Sequence, residues 1–223
     1  MLVHQNNLAS FKYLIMTIRS KIPDTGKQLA SYKGSELIDR IGEEIVKEVV
    51  INVLCGTNIR SLTENLTRKR IALSNSALLM TYLNASNSIE DFQKNMPQLV
   101  SKELLTRRIT AAEKAYLQWL VGLTGKSIQN VLRGNNENEL VEYLDEMECS
   151  LFANAEESKK LFGDLSGTIC IKGESTNLSW TVLTQIFTAI GAQTLALRGS
   201  EKSIYGKLFE KFILGSVLTT EVS

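Results

Sequence analysis

The chain has 223 residues, of which 43% are hydrophobic and 22% charged, and its formal net charge is +1. This length can bury a sizeable core in one large domain or two small ones, and the composition is ordinary for a globular protein. The near-zero charge excludes a global basic field of the kind that draws nucleic acid to a protein, although a basic face can still form locally.

Cysteine usage and hydropathy indicate the cellular compartment. Cys55, Cys149 and Cys170 are far apart and form no C-x-x-C pair, which favours reduced thiols over a disulfide framework. Charged residues interrupt the apolar start of the chain, and no run approaches about 18 apolar residues. We therefore predict a cytoplasmic protein without a signal peptide or a membrane span.

Apolar spacing in chain order predicts a mainly helical protein. The predicted helices cover 8–21, 35–56, 58–86 (a short helix and a longer one), 88–95, 110–123, 125–134, 136–152, 154–165, 178–197 and 201–218. GTICIKG at 167–173 is the one predicted strand, because it is β-branched, short and bracketed by glycines. We predict an all-α, irregular and compact multi-helix domain over 1–223 with at most one short strand. A division into 1–108 and 109–223 is left open.

Several familiar sites find no support in the residues present. LVGLTGKS at 120–127 lacks the first glycine of a phosphate-binding P-loop, because Leu120 takes its place. His4 is the single histidine and the cysteines are scattered, which argues against a histidine-based nucleophilic site and against a zinc cage. The acidic runs lie beside lysines as on solvated helix faces, without the two acids and lysine of a Mg²⁺ nuclease site. We predict no metal ligands.

Basic residues gather at a few places along the chain. RKR at 68–70 opens a predicted helix, and Arg107 and Arg108 precede another. Lys126 and Arg133 flank a short helix bounded by glycines, and cations beside helix N-termini suit phosphate contacts. From charge alone, plain solvation of these side chains is favoured over contact with DNA.

The last predicted helix carries an acid on its polar side. Its apolar arc comprises Ile204, Tyr205, Leu208, Phe209, Phe212 and Ile213. Lys207, Glu210 and Lys211 lie on the other side, and Gly206 leaves open space beside Glu210, as a functional acid would need. An ordinary salt link between Glu210 and a neighbouring lysine is the competing interpretation, and the residues alone favour it.

Two segments resemble type II restriction endonucleases. GSEKSIYGKLFEKFILGSVL at 199–218 resembles the helix that leads into their catalytic core. WLVGLTGKSIQNVLRG at 119–134 resembles their helical N-terminal region. The rest of the chain matches that family only in its helical character.

This resemblance implies a set of functional residues. Glu210 corresponds to the helix-borne acid that assists a metal site. Ser203, Tyr205 and Lys207 correspond to neighbouring positions that face DNA or the core. The predicted nucleic-acid-binding residues are Lys126, Arg133, Lys202 and Lys207.

The resemblance also implies what else the reaction requires. In that family a strand follows this helix and carries the Asp and the Glu-x-Lys that hold Mg²⁺, whereas this chain ends at TTEVS. We expect the truncated N-terminal part of a larger restriction-modification hydrolase that binds double-stranded DNA. Mg²⁺-dependent phosphodiester hydrolysis would reside in a missing downstream core, and this chain alone is predicted to be inactive.

Two other functions stay open. A non-catalytic helical interaction or regulatory module would oligomerise through the last helix, whose apolar end at Leu214, Val217 and Leu218 predicts a homo-oligomer. An enzyme with an unfamiliar site, built on Glu210 and acids from other helices, is the third interpretation.

Overall fold

The computed structural model of the chain describes residues 17–32, 36, 39, 42–57, 60–106, 108–131 and 137–221. A 3-10 helix at Ile18–Lys21 leads into α1 (Asp24–Ala30), α2 (Glu43–Leu54), α3 (Arg60–Ser88), α4 (Phe92–Leu104), α5 (Ala111–Leu120), α6 (Gly125–Val131) and α7 (Glu137–Phe162). A hairpin of β1 (Gly167–Ile171) and β2 (Glu174–Leu178) follows, and α8 (Trp180–Glu221) comes last. The prediction of a mainly helical fold is confirmed.

Several helices are longer than predicted. α3 is continuous, α7 spans both predicted helices between 136 and 165, and α8 runs for 42 residues without the break predicted after 197. No proline falls within these three helices. A glycine inside a helix costs only about 0.5–1 kcal/mol, which packing against neighbouring helices offsets. Gly199 therefore does not end α8 at the boundary that the sequence predicted between 197 and 201.

The beginning of the chain differs in another way. The predicted helix at 8–21 lies largely outside the described residues, and its described end is the 3-10 helix. α1 begins at Asp24, directly after Pro23, where the sequence was expected to leave a helix. α2 falls within the predicted helix at 35–56, and Gly56 follows it at a φ of 67°, the left-handed conformation that is common just past the end of a helix.

The predicted strand has a partner. β1 pairs with β2 in antiparallel register, with Ile169 opposite Thr176. Lys172 and Gly173 form the tip, both at positive φ, as in the two-residue turns that match the twist of a hairpin. β2 was not predicted, because its residues, ESTNL, carry a single large apolar side chain.

The main core lies among α3, α4, α5, α7 and the first half of α8. Its largest fully buried apolar side chains are Tyr82, Tyr116, Ile18, Leu78, Met96, Leu117, Leu120, Leu123, Leu140, Leu144 and Leu197. A capping box fixes the start of α5, because the Thr110 side chain accepts from the Glu113 backbone while Glu113 accepts from the Thr110 backbone. Gly26 of α1 packs so closely on Tyr116 that a Cβ at this position would meet the tyrosine hydroxyl.

α8 is the element that connects the rest of the fold. It packs against α3, α5 and α7, and its second half reaches α2. The stretch Trp180–Lys207 is long and apolar enough to cross a membrane, in contrast to the expectation from sequence. Gln185, Gln193 and Glu201 nevertheless lie buried in the protein interior, so this stretch also has the surroundings of a core helix.

Candidate nucleic-acid interface

A buried ion pair anchors the helix segment that carries the restriction-endonuclease-like motif. Arg70 of α3 donates from Nη1 to Glu201 Oε1 of α8 at 3.3 Å, and both side chains are 4% exposed. The same guanidinium donates from Nε and Nη2 to the carbonyl oxygen of Leu29, at 3.1 and 2.8 Å. It also lies over the ring of Tyr32, 4.5 Å from its centroid. One arginine thus joins α1, α3 and α8.

A small apolar cluster continues this anchor along α8. Tyr205 packs with Val46 and Val49 of α2, and the half-buried Ile204 lies against them. Burial and the nearby charge of Glu201 raise the pKa of the Tyr205 hydroxyl above its ordinary value. This side of α8 therefore faces the protein. Ile204 and Tyr205 belong to the predicted apolar arc, and both lie on this inward side.

The opposite side of the same helix segment is open to solvent. Ser203, Lys207, Glu210 and Lys211 are exposed. Gly206 is exposed as well, and a Cβ added there would meet no atom within 4 Å. This arrangement agrees with the open space that was expected beside Glu210. The motif thus presents two lysines and one acid to solvent from a helix whose other side is fixed.

The predicted DNA-binding residues fall into two separate places. Lys126 is exposed in the first turn of α6, which packs on α5 and α7. Lys207 lies on the part of α8 that packs against α2 and α3. Arg133 and the side chain of Lys202 lie outside the described residues. The structure therefore places Lys126 and Lys207 on two different elements, α6 and the second half of α8.

Sequence reasoning missed the two residues that hold this site in place. Arg70 was placed in a basic run that opens a helix, whereas it lies in the middle of α3 and is buried. Glu201 follows directly after Gly199 and Ser200 in the motif and was not singled out. A charged residue at an inward position of each helix was the available signal, because buried charges are almost always paired.

A half-open cavity of about 160 Å³ lies beside the ion pair. Its walls are Leu29, Tyr32, Leu66, Lys69, Arg70, Leu73 and Glu201. The second carboxylate oxygen of Glu201 is buried and has no hydrogen-bond partner among the described atoms. The carboxylate is thus held through one oxygen, and Glu201 as a residue lines the cavity.

A metal site does not follow from the described side chains. Within the described ranges, no three His, Cys, Asp or Glu residues come close enough together to hold a metal ion. Glu210 is exposed on α8 and by itself supplies a single carboxylate. Among the described residues, the side chains therefore do not form a metal site of three or more protein ligands, and no catalytic step is derived through one here.

Comparison with known proteins identifies the family. The family model described as CfrBI restriction endonuclease matches residues 43–221. The type II restriction enzyme CfrBI of Citrobacter freundii is 34% identical over 195 residues, which make up 86% of this chain and 52% of that enzyme.

The match with the curated relative covers most of this chain but only part of that enzyme. The chain spans about half the length of the curated relative, and no solved structure matches it significantly. The resemblance to type II restriction endonucleases is confirmed, because the family model covers α2 through α8 and the relative aligns with most of the chain. The chain belongs to the CfrBI restriction endonuclease family.

Proposed function

We propose that this chain is the helical, DNA-binding part of a type II restriction endonuclease, and that it binds the backbone of double-stranded DNA. One observation carries this proposal. The motif segment of α8 exposes Ser203, Lys207, Glu210 and Lys211, while the buried pair of Arg70 and Glu201 fixes its other side. Exposed cations on a helix that is held in place suit contacts to phosphate groups, which position a protein on a duplex.

The hydrolytic step belongs to the same proposal. Type II restriction endonucleases generally use Mg²⁺. Cleavage would then draw on residues in the part of the relative's length that this chain does not cover, with Glu210 as an accessory acid. We expect such an enzyme to act in the cytoplasm, where the DNA that it restricts is found.

Duplex binding as a function of salt tests the DNA role. The anisotropy of a fluorescent duplex is measured in EDTA over a series of NaCl concentrations. We expect the logarithm of the binding constant to fall linearly with the logarithm of salt, by about 0.9 for each phosphate neutralised. Lys207→Ala and Lys126→Ala should each reduce the slope by about 0.9. Binding that is absent, or insensitive to salt, contradicts the proposal.

A matched control separates a local contact from a general loss of charge. Lys114 of α5 is exposed, and its substitution by alanine removes the same charge as the substitutions of Lys126 and Lys207. Lys114→Ala should retain the wild-type slope, because it lies outside both predicted contact regions. Added Mg²⁺ should leave the duplex intact when this chain acts alone, and cleavage by the purified chain would place the catalytic residues within it.

Association between copies is a second candidate function, favoured by one exposed side chain. Leu214, in the last turns of α8, is 55% exposed. A homo-oligomer formed through this end of α8 would cover it. Leu214→Lys should then reduce the mass measured by light scattering to that of a monomer. An unchanged mass would show that this end of α8 is not the interface.

A further inference from the structure

One carboxylate joins two arginines that are far apart in the sequence. Glu64 Oε1 accepts from Arg68 Nε at 3.0 Å and from Arg198 Nη2 at 3.4 Å. Arg68 lies one turn after Glu64 on α3, whereas Arg198 lies on α8, one turn before the buried Glu201. The two guanidinium groups therefore meet at one carboxylate oxygen on the surface where α3 and α8 cross.

This cluster has surplus positive charge and unused donors. Glu64, Arg68 and Arg198 together carry a charge of +1. The side chains of Arg68 and Arg198 are 69% and 44% exposed, whereas that of Glu64 is 20% exposed. A guanidinium has five N–H donors. Within the described part of the chain, each arginine uses one of these donors in a hydrogen bond, so four remain for another ligand.

Stability does not account for this arrangement. Exposed ion pairs contribute only about 0.2–1 kcal/mol each, and pairs between residues one helical turn apart contribute less. The crossing of α3 and α8 is already fixed by the buried pair of Arg70 and Glu201. What the Glu64 carboxylate adds is orientation, because it holds two flexible side chains with their forks in one place.

We propose that Arg68 and Arg198 form a clamp that binds a phosphodiester group of duplex DNA, with Glu64 as the positioning residue that holds the two guanidinium groups together. The planar fork of arginine matches phosphate oxygens in bidentate fashion, which a lysine does not. Contacts to phosphate carry no base information, so the clamp would fix the register of the protein on any sequence. This inference rests on the proposed DNA-binding function and adds a site separate from Lys126 and Lys207.

The salt dependence of duplex binding by the full chain tests the clamp. Arg68→Ala and Arg198→Ala should each lower the slope by about 0.9, and the double variant by about 1.8. Arg68→Lys should keep the wild-type slope, because it retains the charge, but should bind more weakly because the fork is lost. The loss should be the same for duplexes of unrelated sequence. Thermal unfolding of each variant should stay near that of the wild type, as expected of exposed side chains.

The outcomes separate failure of the clamp from failure of the DNA role. Wild-type slope and affinity in both arginine variants, beside a reduced slope in Lys207→Ala, would overturn the clamp and leave the DNA role standing. Salt-insensitive binding by the wild type would overturn both. A slope that falls in Arg68→Ala only together with the unfolding temperature would mark a structural role and overturn the clamp.

Inorganic phosphate separates a duplex site from a site for the free anion. At matched ionic strength it should displace the duplex no better than chloride, since one isolated phosphate gains little from a single pair of guanidinium groups. Stronger displacement by phosphate, lost in Arg68→Ala, would assign the clamp to the free anion and overturn the duplex proposal.

Discussion

The two halves of α8 lie in different surroundings. The first half, up to Leu197, buries apolar side chains such as Val182 and Ile186 in the main core between α3, α5 and α7. The second half buries the charged Glu201 against Arg70 and adds a small apolar cluster around Tyr205. One regular helix is therefore held by apolar burial at one end and by a paired charge together with a small apolar cluster at the other. The end held by charge is also the end with the exposed lysines of the motif.

This difference predicts that single substitutions will change the free energy of unfolding by different amounts in the two halves. Apolar burial is distributed over many side chains, so its loss at one position is limited by what that side chain contributes. A buried ion pair depends on both partners, because removal of one leaves an uncompensated charge in the interior. The second half of α8 should therefore respond more strongly to a single charge change than the first half does to a single change in fit.

The largest expected effect is at the ion pair. Arg70→Met should lower the free energy of unfolding by about 3–5 kcal/mol, because Glu201 would remain buried without a cation. Urea unfolding measures this loss. The double variant Arg70→Met/Glu201→Leu is the control, and it should recover most of the loss, because apolar side chains of similar volume can replace a buried pair. A loss below about 1 kcal/mol in the single variant would show that the pair behaves as an exposed one.

A steric change in the main core should have a smaller effect. Gly26→Ala places a methyl group against the hydroxyl of Tyr116 and the side chain of Ala77. Overpacking of this kind costs about 1–3 kcal/mol, measurable by the same urea titration. Gly26→Ala/Tyr116→Phe removes the hydroxyl that the methyl meets and should regain part of the loss. No gain in the double variant would locate the strain elsewhere.

On the exposed side of the second half, a gain is expected instead. Gly206→Ala adds a methyl group where no atom lies within 4 Å, so it should raise the free energy of unfolding by about 0.5–1 kcal/mol. Gly191→Ala, at an open position in the first half, is the matched control. If DNA approaches the backbone at Gly206, only the Gly206 variant should also lose affinity for duplex. Equal duplex binding by both variants would show that DNA does not closely approach the backbone at Gly206.

The smallest effect is expected from pH. Burial raises the pKa of Glu103 above its usual 4.5, despite hydrogen bonds from the backbone of Ile18 and Arg19. The folded protein then binds this proton more tightly than the unfolded chain, so stability falls as pH rises from 4.5 through the raised pKa.

A substitution isolates this contribution. Glu103→Gln should flatten the decrease in urea unfolding curves collected over that pH range. Glu113 is the contrast, since hydrogen bonds from Thr110 and Lys27 outweigh its burial and lower its pKa. Its contribution to stability therefore rises with pH in the range below 4.5. A steeper decrease in Glu103→Gln would contradict the assignment to this carboxyl group.

Sequence reasoning recovered the helical class and the polar side of the last helix because both depend on local spacing. The exposed positions of Lys207 and Glu210 follow from the 3.6-residue period alone. It did not find that Arg70 and Glu201 meet, because 131 residues separate them. It also predicted a break in α8 between 197 and 201, around Gly199, because packing against α3, α5 and α7, which keeps the helix continuous, is not a local property.

Crosslinking from the exposed side of α8 tests the central claim most directly. A photoreactive phenylalanine analogue replaces Ser203 or Glu210, and a third variant carries it at the exposed Glu157 of α7. Each purified variant is irradiated with a labelled duplex in EDTA. We expect crosslinks from 203 and 210, which weaken as salt rises, and none above background from 157. Equal crosslinking from all three positions, or from 157 alone, would contradict the assignment of this side of α8 to DNA.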